Sequence, residues 1–332
     1  MNQRSAAPVK TRRNRQGMDA PKMSALALAI GVALGSAAVP RPASAGPEGG
    51  QIVAGAGSIS QSGGSTVITQ GTDRLGIDWQ SFNVGQSESV RFDQPSTSAV
   101  ALNRIFDQNP SQILGALDAN GRVYLINPNG MIFGANARIN VGALIASSLD
   151  ISLKDFLAGK NEFNAKDGKA GLVVNRGLIK AATGGSVTLL GGAVANEGMI
   201  LADMGQVTLG AGAHAALDFD GDGLIYFAID GQALADAQGD ASVANSGTIQ
   251  ANGGQVLLSG RAAQAVVSNV VNNTGVIRAA RIENSGGVIQ LVGTGGTVAS
   301  SGVIDASGQG GTGGTVQMLG DRVGLFGNAT VN

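Results

Sequence analysis

The acidic residues between Asp218 and Asp222 are the strongest candidates for metal chemistry in this sequence. Asp218, Asp220 and Asp222 alternate in Asp-Phe-Asp-Gly-Asp-Gly, which resembles the start of a calcium-binding loop. An EF-hand loop needs glutamate at its twelfth position and a helix on each side, but Ile229 stands there and no helical periodicity flanks it. Asp-Gly pairs are also ordinary turn formers. We therefore predict a turn without a metal ion, with calcium binding at 218–222 as the open alternative.

Composition excludes most other catalytic sites. The chain has one histidine, His214, and no cysteine, so zinc sites and Ser-His-Asp or Cys-His catalysis lack their residues. Glycoside hydrolysis needs carboxylates that converge on one face, whereas the acids here are scattered along the chain. The glycine pairs are not followed by Lys-Ser/Thr and a helix, as a phosphate-binding loop requires. We predict a protein that is not an enzyme and has no cofactor.

The elements that would position any site come from repeats after residue 175. The first repeat is Asn-x-Gly-x-Ile, which begins at Asn175, Asn196, Asn245 and Asn273 (with Leu178, Met199, Thr248 and Val276 before the isoleucine) and returns in a degenerate form at Ser300. The second is Gly-x-Val-x-Leu, which begins at Gly185, Gly205, Gly254, Gly287 and Gly314 with small variations. We predict that the glycine two residues after each asparagine takes the positive φ of a sharp corner, and that the asparagines stack in a hydrogen-bonded ladder.

Each Gly-x-Val-x-Leu run alternates between apolar and polar residues. Val187 and Leu189 point to one side of a strand, while Ser186 and Thr188 point to the other. A strand this short is not stable alone, but stacked copies would form continuous columns of Val and Leu. The pattern predicts an all-β parallel β-helix, a solenoid, with an irregular N-terminal cap over its exposed first coil.

The region before residue 175 repeats less clearly, but it contains short strand patterns and one well-built turn. Ile52-Val53, 65–68, 90–92 and 100–102 are predicted as strands. In the stretch 123–134, two apolar runs flank Asn127-Pro128-Asn129-Gly130, in which Pro128 presets φ and Asn129 tolerates a left-handed backbone. The stretch 154–169 is the best local candidate for a helix or a long loop.

Several motifs of this region, taken together, resemble one family. They are Asn103-Arg104-Ile105, Asn109-Pro110-Ser111-Gln112-Ile113, Gly121 to Gly134 with Asn127-Pro128-Asn129-Gly130 and Phe133-Gly134, Ile139-Asn140-Val141-Gly142, and Ala146-Ser147-Ser148-Leu149. In this order and spacing the sequence resembles the N-terminal secretion domain of filamentous haemagglutinin-type exoproteins, the passengers of two-partner secretion. One departure is that no Asn-Pro-Asn-Leu segment precedes the Asn-Pro-Asn-Gly segment.

The resemblance covers residues 46–215 and implies a fold, a partner and a set of site residues. The fold would be a right-handed β-helix, and the partner an outer-membrane transporter of the two-partner secretion type. The residues recognised by that transporter would be Asn103, Arg104, Ile105, Asn127, Pro128, Asn129, Gly130, Phe133 and Gly134. They also suit tight corners of the cap, and both interpretations hold if recognition precedes folding. Strand augmentation by an extended passenger segment is a plausible mode.

The first 45 residues are typical of a secretory signal peptide. A basic segment precedes the apolar, uncharged stretch 23–39, and Ala43-Ser44-Ala45 gives a small-x-small cleavage site before Gly46. The rival interpretation is a membrane anchor, but this stretch is short of the roughly 20 residues that a span needs. We predict cleavage after Ala45 and no transmembrane segment in the mature chain. The predicted domains are therefore 1–45, 46–215, and 216–332 as continuing β-helix repeats of a truncated protein.

Charge and composition agree with secretion. The leader holds seven of the 22 basic residues and one of the 23 acidic ones, so the mature part has a net charge of −7. A mildly acidic protein is a poor candidate for binding nucleic acid. The family resemblance implies an adhesin-like exoprotein of a Gram-negative bacterium, secreted or at the cell surface, with host-cell or surface glycans or proteins as ligands. The alternatives are the stem of a large toxin or haemolysin, and a β-helical polysaccharide-degrading enzyme.

Overall fold

The computed structural model describes residues 46–217, 241–261, 269–282, 286–308 and 312–332. Almost all of its regular structure is β. In chain order the elements are β1 (Gln51–Ala54), β2 (Gly57–Ser62), β3 (Ser65–Gln70), β4 (Arg74–Trp79), β5 (Ser89–Asp93), β6 (Val100–Ile105), β7 (Ser111–Ile113), β8 (Ala116–Ala119), β9 (Arg122–Ile126), β10 (Met131–Phe133), β11 (Arg138–Val141), β12 (Ala143–Ser147), α1 (Leu153–Leu157), β13 (Asn161–Asn164), β14 (Leu172–Asn175), β15 (Leu178–Ala181), β16 (Ser186–Gly191), β17 (Ala193–Asn196), β18 (Met199–Leu201), β19 (Gln206–Ala211), β20 (His214–Leu217), β21 (Ala241–Asn245), β22 (Thr248–Gln250), β23 (Gln255–Arg261), β24 (Asn269–Asn273), β25 (Val276–Arg278), β26 (Val288–Ser300), β27 (Val303–Asp305), β28 (Thr315–Leu325) and β29 (Thr330–Val331).

The strands wind into coils with three faces, as predicted for a parallel β-helix. Face A contains β4, β6, β9, β12, β16, β19 and β23, and face B contains β7, β10, β14, β17, β21 and β24. The long strands β26 and β28 contribute to both of these faces. Face C contains β3, β5, β8, β11, β15, β18, β22, β25, β27 and β29. Successive coils pair in parallel on every face of the described chain.

The valine and leucine columns of the second repeat are confirmed. The register places Val187 beside Val207, then Val256, Ile289 and Val316. The next inward column contains Leu189, Leu209, Leu258, Leu291 and Met318. All members except the two in the last coil are buried in one continuous core. This core stabilises each coil by removing its apolar side chains from water.

The predicted asparagine ladder is also present. The Nδ2 of Asn175 donates to Oδ1 of Asn196, Asn196 donates to Asn245, and Asn245 donates to Asn273, each over 2.8 Å. Asn273 then donates to Oγ of Ser300 over 3.1 Å, so the degenerate copy continues the ladder. These side chains are buried, and each satisfies a neighbour's amide where no water can reach.

The role predicted for the corner glycines is wrong in its mechanism. None of the glycines two residues after the ladder asparagines has a positive φ. A Cβ on Gly198 would lie less than 3.0 Å from the carbonyl oxygen of Gly177, and Gly247 and Gly275 meet the preceding glycine in the same way. Glycine is therefore needed because successive backbones approach too closely for a side chain, not because the corner is left-handed.

The N-terminal cap, the part of the chain that does not follow the parallel pairing of the coils, is short. β1 pairs antiparallel with β4, and β2 pairs antiparallel with β3, so these two strands cover the first coil. From β3 onward the chain already follows the parallel pattern, and the four strands predicted between residues 52 and 102 fall within β1, β3, β5 and β6. Regular coils therefore begin well before the visible sequence repeats.

A second apolar cluster lies outside the coils, against face A. We call the elements that build it the clasp: α1, β13 and β20. β13 pairs antiparallel with β20, and Phe156, Phe163 and Leu217 pack with outward residues of face A such as Leu102 and Tyr124. The stretch 154–169 thus forms most of a short helix and a strand. His214 lies on β20, partly buried, with Nδ1 2.8 Å from Oδ1 of Asn164.

Two sequence predictions fall outside the described residues. These are the leader 1–45, including Ala43 and Ala45 of the cleavage site, and the acidic loop 218–222. Gly46, the predicted first residue of the mature chain, is the first residue described. Within the ranges described above, no helix is long and apolar enough to cross a membrane.

Candidate functional site

Asn103 is a fully buried residue of β6 that links three strands of face A. Its Oδ1 accepts a hydrogen bond from Nε1 of Trp79 over 3.0 Å. Its Nδ2 donates to the carbonyl oxygen of Tyr124 over 3.2 Å. Trp79 is the only tryptophan of the chain and is itself buried, so the pair holds the first coils in register.

Arg104 and Ile105 alternate across the same strand. Ile105 points into the core and is 2% exposed. Arg104 points outward and forms a bidentate pair with Asp78 of the preceding coil, with N–O distances of 2.8 Å. Its guanidinium also lies 5.8 Å from the ring centroid of Phe106. The two-pronged geometry fixes the arginine in one orientation.

The turn between β9 and β10 is organised by Asn127. This residue is fully buried, and its Nδ2 donates to the carbonyl oxygen of Asn109 and to Oγ of Ser111, each over 3.0 Å. Its Oδ1 accepts from the backbone N–H of Asn129 over 3.0 Å, which is the hydrogen bond of an Asx turn. Asn127 therefore joins its own turn to the loop of the preceding coil.

The structure shows which residue of the turn adopts the left-handed backbone that Asn129 could also have tolerated. The N–H of Gly130 donates to the carbonyl of Asn127 over 2.9 Å, which closes a four-residue turn with Pro128 second. The positive φ belongs to Gly130, at 107°, and not to Asn129. Asn129 is exposed instead, and its Nδ2 donates to the carbonyl of Asp107 over 2.6 Å. Glycine is required at position 130 for two reasons, because φ is positive and because a Cβ would lie 2.6 Å from the carbonyl oxygen of Leu172.

Phe133 and Gly134 complete the motif on the core side. Phe133 is fully buried in the main cluster. Gly134 donates its N–H to the carbonyl of Ile113 over 2.9 Å and accepts from the N–H of Ala137, also over 2.9 Å. A Cβ on Gly134 would collide with the side chain of Leu114.

The structure brings the two predicted groups together through the loop 106–110. Asn103, Arg104 and Ile105 lead into this loop, and Asn127 and Asn129 donate to its carbonyl groups. Four of the nine predicted residues have buried side chains in the fold: Asn103, Ile105, Asn127 and Phe133. A partner could contact those four only on a chain that has not yet folded.

Sequence reasoning missed the residues that support this region. Asp78 orients Arg104, and the half-exposed Phe106 lies between the cations of Arg104 and Lys166, whose Nζ is 5.2 Å from the ring centroid. A ladder of hydrogen bonds also links Gln70, Gln94 and Asn120: Nε2 of Gln94 donates to Oε1 of Gln70 over 3.0 Å, and the backbone N–H of Gln94 donates to Oδ1 of Asn120 over 2.8 Å. Its only sequence signal is a spacing of 24 and 26 residues.

A hydrogen bond and ion pair with Glu197 of the next coil raise the pKa of Arg176, whereas the pair that raises the pKa of Arg91 is with Asp93 of the same strand. A hydrogen bond from Ser307, aided by Arg278, lowers the pKa of Asp305 despite partial burial. Asp203 accepts from Gln250 and Asn252. Among the described residues no cluster of His, Cys, Asp or Glu could hold a metal ion.

Comparison with known proteins agrees with this architecture. The family model described as the TPS secretion domain matches residues 43–306. A heme/hemopexin-binding protein of Haemophilus influenzae (strain ATCC 51907 / DSM 11121 / KW20 / Rd) is 37% identical over 253 residues, covering 74% of this chain and 27% of that protein. A second protein of that name from Haemophilus influenzae is 33% identical over 245 residues, covering 68% and 25%. The chain thus spans about a quarter of the length of these relatives.

Two solved structures resemble the model. The HMW1 secretion domain from Haemophilus influenzae superposes with a TM-score of 0.72 at 28% identity, covering 86% of this chain and 84% of that one. The filamentous hemagglutinin secretion domain gives a TM-score of 0.51 at 16% identity, covering 86% and 99%, which shows a shared fold alone. The family match covers most of the chain, and the chain therefore belongs to the TPS secretion domain family, the N-terminal domains of two-partner secretion passengers.

Proposed function

We propose that this protein is a passenger that a partner transporter recognises and exports across the outer membrane of a Gram-negative bacterium. The observation that carries the proposal is the family match over residues 43–306. The leader 1–45 would direct the chain to the periplasm and be cleaved after Ala45, next to Ala43 and before Gly46. Residues 46–215 would carry the secretion signal, and 216–332 would continue the β-helix, wound right-handedly.

The transporter would recognise the passenger before it folds. Asn103, Ile105, Asn127 and Phe133 have no exposed side chain in the folded protein, so a site made of them must be read on an extended chain. The chain has no cysteine that could lock it in the oxidising periplasm. Outside, each new coil would bury an apolar layer and pair its backbone, which would bias movement outward without nucleotide hydrolysis.

Recognition and folding can be separated by experiment. Asn127→Ala and Asn103→Ala would be compared with Asn140→Ala, an exposed asparagine of β11 with no side-chain hydrogen bond in the described structure. Urea-unfolded variants would be tested for binding to the periplasmic domains of the cognate transporter, and export would be measured in cells that express it. We expect the first two to bind and export less than the third.

Two outcomes bear directly on this proposal. Export that proceeds equally well without the transporter would refute the two-partner route. Unfolded Asn127→Ala and Asn103→Ala chains that bind normally would show that these residues only build the fold and would leave the recognition site elsewhere in residues 46–215.

After export, the protein would act as an adhesin-like exoprotein, secreted or at the cell surface, that contacts host-cell or surface glycans or proteins. The alternatives are the stem of a larger toxin or haemolysin and, less favoured, a polysaccharide-degrading enzyme. Adhesion of cells that express the exported chain, haemolysis, and release of reducing sugar from polysaccharides would distinguish the three.

The names of two relatives support a second candidate function, the binding of heme or hemopexin. His214, the only histidine, lies on β20 and is partly buried, with Nδ1 directed to Asn164. Its Nε2 would be the one imidazole nitrogen available to heme iron. Hemin titration followed at the Soret band would test this, with His214→Ala as the variant expected to lose the shift. Unchanged spectra in both proteins would reject this candidate.

A further inference from the structure

A groove of about 590 Å³ crosses face A beside the first residues of its strands. Arg122, Ala143, Ser186, Gln206 and Gln255 line it, each from a successive coil, in a row set by the strand register. Residues in register on neighbouring coils lie about 4.8 Å apart, so the row extends for about 19 Å. We call this feature the Arg122 groove.

The polar side chains of this row have no partner within the part of the chain that the structure describes. Among the described residues, the guanidinium of Arg122 forms no ion pair or hydrogen bond, and neither do the carboxamides of Gln206 and Gln255 or the hydroxyl of Ser186. By contrast, Arg104 and Arg176, which also point outward, are each paired with a carboxylate. All four groups of the row are partly buried rather than fully solvated. Their hydrogen-bond donors and acceptors are therefore available to a ligand at a concave surface.

The charge of the groove is opposite to that of the protein. Arg122 is its one charged residue among the described residues that line it, and no described lining residue is acidic. The chain without its leader has a net charge of −7. A guanidinium in a partly desolvated groove is suited to a carboxylate, which it can bind through two parallel hydrogen bonds.

We propose that the Arg122 groove binds an oligosaccharide that carries a carboxylate. Arg122 would bind the carboxylate, while Ser186, Gln206 and Gln255 would exchange hydrogen bonds with sugar hydroxyls along the row. Hydroxyl and carboxamide groups both donate and accept, as a sugar chain does. An extended acidic peptide fits less well. Such peptides bind by forming main-chain hydrogen bonds with an unpaired strand edge, but the strands at the base of the groove are already paired on both sides. This inference goes beyond export and does not depend on it.

Calorimetric titration of the purified full-length chain with hexagalacturonate tests the proposal. Maltohexaose serves as the neutral sugar chain and hexaglutamate as the acidic peptide. Arg122→Gln is the variant, and Arg138→Gln is its matched control, since Arg138 is exposed on face C and also unpaired among the described residues. We expect Arg122→Gln to weaken hexagalacturonate binding about tenfold or more, because a charge-assisted pair is lost, and Arg138→Gln to leave it unchanged.

Other results would overturn the proposal. Equal loss in both arginine variants would indicate diffuse attraction to positive charge rather than a site. Hexaglutamate binding as tightly as hexagalacturonate would assign the groove to acidic peptides. No measurable binding of hexagalacturonate by the unaltered chain would reject the site. Far-ultraviolet circular dichroism and urea unfolding of each variant would establish that the β-helix is intact in every comparison.

Discussion

At the scale of single residues, Asn103 shows how a polar side chain can hold a hydrophobic core in register. It accepts from Trp79 of one coil and donates to Tyr124 of the next, so its amide spans three strands. An apolar residue of similar size would leave the indole N–H of Trp79 without this hydrogen bond in a place that water cannot reach. The same residue is therefore structural in the folded protein, whatever it does before folding.

Asn103→Ala should destabilise the folded protein by about 1–3 kcal/mol, because it leaves the buried indole N–H of Trp79 unsatisfied. Urea unfolding followed by Trp79 fluorescence would measure the loss. The exposed Asn140→Ala should change the free energy of unfolding by less than about 0.5 kcal/mol. Equal effects in the two variants would contradict the assigned hydrogen bonds.

Asp305 gives a residue-scale prediction on pH. Its pKa is lowered below 3.8, first by the hydrogen bond with Ser307 and then by Arg278. A carboxylate with a depressed pKa stabilises the fold above its unfolded pKa, and this contribution is lost as pH falls through the folded pKa. Ser307→Ala should therefore raise the pKa of Asp305 toward its ordinary value in a carbon-13 NMR titration. An unmoved titration curve would show that the hydrogen bond does not set the pKa.

Single residues also mark where the sequence was informative and where it was not. The ladder asparagines could be predicted because they recur at a regular position in the repeat. Turn preferences allow a left-handed backbone at both Asn129 and Gly130, and only the structure shows that Gly130 adopts it. Trp79 stands out in the sequence as the only tryptophan. No motif or spacing in the sequence, however, indicates that its indole N–H bonds to Asn103.

At the scale of elements, the corner glycines act through close approach of successive coils. The hypothetical Cβ of Gly247 lies less than 3.0 Å from the carbonyl oxygen of Gly198, while that of Gly286 meets no atom within 4 Å. Gly247→Ala should therefore destabilise the protein by about 1–3 kcal/mol through overpacking. Gly286→Ala, the matched control, should be neutral or slightly stabilising. Urea unfolding of the two variants checks this, and a tolerated alanine at 247 would argue against close stacking.

The clasp connects early coils to β20, a strand that lies much later in the sequence. Phe163 on β13 packs near the ring of Tyr124, with centroids 6.4 Å apart, and β13 pairs with β20. Arg74 of β4 donates to the carbonyl of Phe156 over 2.7 Å. During export, these early coils would therefore gain the clasp contacts only when His214–Leu217 has emerged.

Phe163→Ala should cost about 3–5 kcal/mol, because a fully buried ring is removed. Hydrogen exchange should quicken in β9, β13 and β20 more than in β22 and β25, which lie away from the clasp. Leu157→Ala, at a residue 46% exposed, is the control expected to change little. Uniform quickening along the chain would show that the clasp is not a separate stabilising unit.

Elements differ in how far the sequence reveals them. The coils after residue 175 can be predicted from the sequence because the same corner residues recur in each of them. The earlier coils use the Gln70, Gln94 and Asn120 ladder and unlike corners, so their regularity is not visible as a repeat. The clasp depends on contacts between segments about 50 residues apart and has no period. A fold class could therefore be predicted from stacking columns, but not the outer cluster that covers face A.

At the scale of the whole molecule, the absence of cysteine and the continuous stacked core suit a passenger that folds late. We propose that the passenger is recognised by its transporter before folding, crosses the outer membrane unfolded and winds into coils afterwards. Asn140 and Lys180 suit a direct test, because they are register partners on neighbouring coils of face C and both are exposed. The spacing of paired strands permits a disulfide between them.

The measurement is the secreted amount of Asn140→Cys/Lys180→Cys in cells with the partner transporter, with and without reductant. Each single cysteine variant serves as a control. We predict that the double variant is retained in the periplasm when oxidised, and that reductant or removal of either cysteine restores secretion. Normal secretion of a double variant that carries the disulfide before it leaves the periplasm would contradict transport of an unfolded chain.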